Sequence, residues 1–139
     1  MTDTQAAPTT PATRSSLTQI GVVMFAVADQ DAARDFSVDV LGFEVRSDSR
    51  FGEGGAMRWL EVAPPGSRTR LALDPPMSGT TGGGGMIGVQ SSDVLGEHAR
   101  LSALGGVDLD PAPVQEPGAP LVFVLRDPDS NAVVVVEEA

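Results

Sequence analysis

The side chains able to do chemistry sit in a handful of places. Asp127-Pro128-Asp129 sets two carboxylates two residues apart, a spacing that suits acid–base work or a metal loop. The proline between them and Ser130-Asn131 after them favour a tight turn closed by local side-chain hydrogen bonds instead. His98, the only histidine, lies within the helical stretch Gly96-Glu97-His98-Ala99-Arg100 and reads as a solvated surface residue rather than a ligand. Gly82 to Gly85 is glycine-rich enough for a phosphate loop, but no Gly-Lys-Ser/Thr follows and no helix starts directly after it. Glu137 and Glu138 read as charged terminators of the last strand. Glu61 and Arg70 remain: a carboxylate and a guanidinium on neighbouring strands that either pair or offer a charge to a bound molecule, because an unpaired buried charge is too costly.

The elements that position these residues are written twice. The first half reads strand Ile20–Val27, helix Asp31–Val40, then strands Phe43–Arg50, Met57–Val62 and Thr69–Leu73. The second reads strand Met86–Val89, helix Asp93–Leu104, then strands Val107–Leu109, Leu121–Leu125 and Ala132–Glu137. A period of roughly 60 residues is a duplicated βαβββ unit. Two such modules side by side give an α+β fold whose curved mixed sheet surrounds a cleft fit for a small molecule. Asp29 or Asp31 is the expected first N-cap and Asp93 the second. Ala32, Ala33, Phe36 and Val40 are expected to be buried from the first helix, and Val94, Leu95, Leu101 and Leu104 from the second. Gly42 is expected to end the first helix in the left-handed conformation. Strand alternation places Met24, Trp59, Glu61, Arg70, Met86 and Gln90 on the concave face, with Phe51, Met57 and Phe123 at its rim.

Residues 17–139 are expected to form one domain, with modules over about 17–74 and 84–139 and a Pro/Gly-rich linker over 75–83. Residues 1–16, rich in Thr, Ala and Pro with only Arg14 basic, read as a disordered tail. Without cysteine there is no disulfide, thiol nucleophile or thiolate metal site, and a cytoplasmic location is the simplest expectation. A formal charge of −10 disfavours nucleic acid and anionic membranes as partners. No apolar run approaches the roughly 18 residues that a membrane helix needs.

Val27-Ala28-Asp29-Gln30-Asp31-Ala32-Ala33, Leu41-Gly42-Phe43-Glu44, Arg58-Trp59-Leu60-Glu61-Val62-Ala63-Pro64-Pro65-Gly66 and Asp127-Pro128-Asp129-Ser130-Asn131 together resemble the vicinal-oxygen-chelate superfamily, which holds glyoxalases, bleomycin-resistance proteins and extradiol dioxygenases. The resemblance covers about residues 17 to 139. It implies the duplicated fold, a dimer with clefts completed between subunits and, in the enzymes, one divalent metal held by a first-strand and a last-strand residue of each half. Those positions fall here on Val22, Ala72, Met86 and Val134. None is a competent ligand for a hard divalent ion, and no cofactor is expected.

Without that Lewis acid the enzymes' metal chemistry loses its centre. The favoured expectation is a metal-independent homodimer that sequesters an aromatic or amphiphilic small molecule, as in the bleomycin-resistance branch, on Met24, Phe51, Met57, Trp59, Glu61, Arg70, Met86 and Gln90. The alternatives are a glyoxalase-like lyase or isomerase with Glu61 as base and Arg70 as oxyanion partner, or a dioxygenase-related enzyme with atypical metal ligands.

Overall fold

Two short helices and two four-stranded sheets alternate along the chain in a computed structural model that describes residues 14–76 and 81–139. The expected tail over 1–16 lies almost wholly outside the described residues, as do residues 77–80 of the expected linker. The first module comprises β1 (Val22–Ala26), α1 (Gln30–Asp35), β2 (Glu44–Phe51), β3 (Met57–Ala63) and β4 (Arg70–Asp74). The second comprises β5 (Met86–Ser91), α2 (Val94–Leu104), β6 (Asp108–Leu109), β7 (Val122–Arg126) and β8 (Ala132–Glu137). The sheets share one order, β1-β4-β3-β2 and β5-β8-β7-β6, with the first and last strands of each module parallel and the rest antiparallel. Each parallel pair needs a long crossover, and the helix and middle strands supply it.

Alternation decides which face of each sheet the core takes. Phe25, Val27, Leu60, Val62, Leu71 and Leu73 of the first module meet Phe123, Leu125, Val133 and Val135 of the second in one continuous cluster, joined by Ala33 of α1 and by Val94 and Leu101 of α2. Phe123 is therefore fully buried core and not at the cleft rim. Leu121 to Leu125 is apolar at every position, so alternation carries no face signal there, and the pairing of Phe123 with buried Val135 settles it.

Both helices begin as expected and bury less than expected. Asp29, not Asp31, caps α1, its Oδ1 accepting from the Ala32 amide at 3.1 Å. Phe36–Val40 then continues as a π-helical turn to Leu41, and Gly42 follows at φ 74°. Widening the turn brings Ser37 inward, where its hydroxyl donates to the Ala33 carbonyl at 2.8 Å, while Ala32 stays exposed and Phe36 and Val40 are only partly buried. In α2, Asp93 Oδ1 accepts from the Gly96 amide at 2.9 Å. Val94 and Leu101 are buried, two turns apart on one line, whereas Leu95 and Leu104 are exposed. His98 shares the Val94 side. It is half-buried rather than solvated, with Nε2 2.7 Å from the Asp110 carbonyl and its ring edge-on to Phe123 at 5.0 Å.

Besides the shared core, the modules are joined by backbone bonds and by a few side chains, chief among them one buried amide. Asn131 Nδ2 donates to the Ala26 carbonyl at the end of β1 and to Asp127 Oδ2, while its Oδ1 accepts from the Gly85 amide at 2.9 Å. Asp127 Oδ1 in turn accepts from the amides of Asp129 and Asn131, so the Asp127 carboxylate closes the turn, and Ser130 takes the positive φ of 66°. Asp129 Oδ1 accepts from the Ala28 amide, and the Gly83 amide donates to Ala26. Gly82 to Gly85 is thus a close-packed crossing: a Cβ at Gly85 would meet the Phe25 ring at 2.7 Å, and one at Gly83 would collide with the Asp129 carbonyl.

Candidate ligand-binding face

The register of the first sheet assembles its open face, the one turned away from α1, row by row. Val22 lies beside Arg70, Met24 beside Ala72 and Ala26 beside Asp74. Glu61 flanks Ala72 from the other side with Ser47 beyond it, and Ser49 and Phe51 stand beside Trp59 and Met57. Six of the expected ligand residues, Met24, Phe51, Met57, Trp59, Glu61 and Arg70, therefore share one surface. Met86 and Gln90 lie on the corresponding face of the second sheet, beside Ala132 and Val136. Both faces are open in the single chain, with Met24 57% and Met86 71% exposed.

Three charged groups occupy the first face. Glu61 is buried at 7% exposure and pairs with Arg70, whose Nε lies 2.9 Å from Glu61 Oε1. That Nε is itself buried, and the angle to the carboxylate gives no hydrogen bond. Asp74, two residues on from Ala72, faces the same way as Arg70. Burial, and secondarily the Glu61 carboxylate, hold its carboxyl above the usual carboxylate range. Sequence reasoning missed Asp74 because Pro75-Pro76 marks it as linker; the alternation Arg70, Ala72, Asp74 was the available signal.

Arg58 works on the opposite face of β3. It donates to both oxygens of Asp48 on β2, at 2.8 and 3.0 Å, and to Asp31 at 2.8 Å, clamping α1 to the sheet. These bonds hold both aspartates below their usual range. Gln30 reinforces the clamp by donating to the Leu73 carbonyl at 2.8 Å.

The metal positions implied by the resemblance can be tested directly. Met24 and Gly88 of the first strands lie beside Ala72 and Val134 of the last, and Val22 and Met86 lie one step further out. Val22, Ala72, Met86 and Val134 offer only hydrocarbon and thioether, which do not fit a hard divalent ion. Among the described residues no three His, Cys, Asp or Glu side chains form a metal-binding group.

Residues 19–135 match the sequence model of the Glyoxalase/Bleomycin resistance protein/Dioxygenase superfamily, and the chain belongs to that family. It is 31% identical over 121 residues to the uncharacterized protein YetH of Bacillus subtilis, covering 86% of this chain and 98% of YetH. Among solved structures, a member of the same superfamily from Sphaerobacter thermophilus matches at a TM-score of 0.78 and 30% identity, over 88% of this chain and 98% of that one. TnmS3, an antibiotic binding protein from Streptomyces sp. CB03234, matches at a TM-score of 0.78 and 28% identity, over 91% and 100%. No helix among the described residues is long and apolar enough to cross a membrane.

Proposed function

We propose that this chain is a metal-independent binding protein that sequesters an aromatic or amphiphilic small molecule on the open face of its first sheet. The observation that carries the reading is one surface on which Trp59, Met24, Met57 and Phe51 surround the buried Glu61–Arg70 pair. A flat aromatic ring and adaptable thioethers suit a planar apolar ligand. Two carboxylates against one guanidinium suit a positive group on it. The likeness to an antibiotic binding protein supports the same reading. The reading extends to a cytoplasmic homodimer in which a second copy covers the open faces, because exposed Met24, Met57, Met86 and Phe51 form more apolar surface than a lone subunit usually leaves uncovered.

The test is tryptophan fluorescence, for which Trp59 is the only source. Titration with bleomycin and a library of planar cationic antibiotics is expected to give saturable quenching, with binding lost in Trp59→Ala when followed by calorimetry. A library that leaves both signals unchanged overturns the reading. The enzymatic alternative rests on the same buried carboxylate, and conversion of a bound compound that stops in Glu61→Gln while binding persists would establish it instead.

A further inference from the structure

We propose that the positive group of the ligand is a protonated amine, seated between the Asp74 carboxylate and the Trp59 indole at one end of the open face. The inference rests on the binding reading above and adds to it the residues that select the ligand. Glu61 and Asp74 both bring a carboxylate to this face, but they are not equivalent. Glu61 already meets a guanidinium, with Arg70 Nε 2.9 Å away. Asp74 has no such partner among the described residues: its charge feels only burial and the repulsion of Glu61. Two acids and one guanidinium leave one negative charge over. The flanking strands add none, since β1 brings Val22, Met24 and Ala26 to this face and β2 brings Ser47 and Ser49.

The backbone sets that charge beside the only tryptophan. β3 and β4 run antiparallel with Glu61 against Ala72, so that Trp59 and Asp74, each two residues further on, make up the next row of the same face. The ladder itself stops at Glu61–Ala72, and Pro75 and Pro76 have no amide hydrogen with which to continue it. Gln30 takes over the fastening. Its Nε2 donates to the Leu73 carbonyl of β4 at 2.8 Å and to the Arg58 carbonyl of β3 at 3.3 Å. Gln30 belongs to α1, so the strands are held from the helix side and Trp59 and Asp74 are left on the open side, both half-buried.

A carboxylate whose pKa is raised by burial is a poorly stabilised anion in the unliganded fold. An ammonium beside it reverses that, because its N–H groups donate charge-assisted hydrogen bonds and its charge answers the one left over. Trp59 adds the attraction of a cation to an indole face, while Met24 and Met57 receive the flat apolar body. A carboxylate head finds no free cation on this face, since Arg70 is engaged by Glu61.

Naphthylmethylamine is the probe, with naphthylmethanol and naphthoate as neutral and anionic controls, titrated at neutral pH into the full-length ¹⁵N-labelled protein. Saturable amide shifts are expected along β3 and β4 for the amine and the alcohol, with the amine bound about fivefold or more tighter. Asp74→Asn should bring the amine down to the alcohol's affinity, and Asp74→Ser replaces it if the dispersed spectrum is lost. Trp59→Leu should weaken both, the amine by more. An amine bound no tighter than the alcohol, a naphthoate bound tighter than either, or a preference for the amine that survives whole in Asp74→Asn or in Trp59→Leu overturns the proposal and leaves the binding reading standing. Absence of saturable shifts with all three probes overturns the binding reading itself, and this proposal with it.

Discussion

The two modules share a fold and differ in what they display on it. Their registers can be laid over one another. Met24–Ala72–Glu61 in the first sheet corresponds to Gly88–Val134–Val124 in the second, and Ala26–Asp74 corresponds to Gln90–Val136. One more step sets Trp59 against Val122. Where the first module shows an acid, an aromatic ring and a second acid, the second shows three valines. Arginine is exchanged as well: Arg70 of the first face answers to Ala132, and the second keeps its arginine, Arg126, on Asp108 and Asp110 at the edge. Duplication has produced one face with charged and aromatic groups and one smooth wall. The helices differ in the same spirit, since α2 is regular while α1 gives way to a π-turn so that Ser37 can be packed.

The largest expected effect comes from cutting the joint that lets these unlike halves behave as one body. Asn131→Ala leaves the Gly85 amide and the Ala26 carbonyl without this partner, and should cost about 3 kcal/mol in urea unfolding. Giving the smooth wall the charge of its counterpart is the next test. Val124→Glu should cost about 2 kcal/mol, because Arg126 is already committed to Asp108 and Asp110. A neutral result would mean that the two faces are interchangeable. Trp59→Val, which makes the first face resemble the second, should weaken binding of any ligand found there about tenfold or more by calorimetry, with little change in stability.

Two smaller effects concern pH and have opposite signs. Asp31 and Asp48 are held below the ordinary carboxylate value of 3.8 by Arg58, so the folded state binds fewer protons than the unfolded chain in that acidic window. Their contribution is present above pH 3.8 and is lost as pH falls through the depressed values. Arg58→Gln should flatten that acid limb. Asp74 is raised, so the folded state holds its proton more tightly, and stability is lost as pH rises from 3.8 through the raised value. Asp74→Val, its counterpart's residue type, should therefore raise the melting temperature slightly at pH 7 and leave it unchanged at pH 3.

Legibility from sequence followed local chemistry. Strand and helix positions were readable to within a few residues because short apolar runs such as Val22–Ala26 and the caps Asp29 and Asp93 are near-neighbour signals. The first open face was readable for the same reason: Trp59 and Glu61 are two residues apart on one strand. Phe123 was misplaced because its strand has no polar residue to mark a side until Arg126. Leu95 and Leu104 were misplaced because a short helix offers several apolar lines, and only contact with the sheet selects Val94 and Leu101. His98 was read as solvated because its partners, Asp110 and Phe123, lie 12 and 25 residues away. The bond from Asn131 to Ala26 spans 105 residues, and no local pattern announces it.

The joint between the halves uses carbonyls, amides, glycines, Asp129 and one asparagine, and none of the side chains on either open face. Scaffold and specificity are therefore housed in different atoms. On the proposed reading, residues such as Trp59, Asp74 or Val124 can be exchanged in search of new cargo while the hub at Asn131 goes on holding the halves together, which makes this architecture a natural starting point for retargeting.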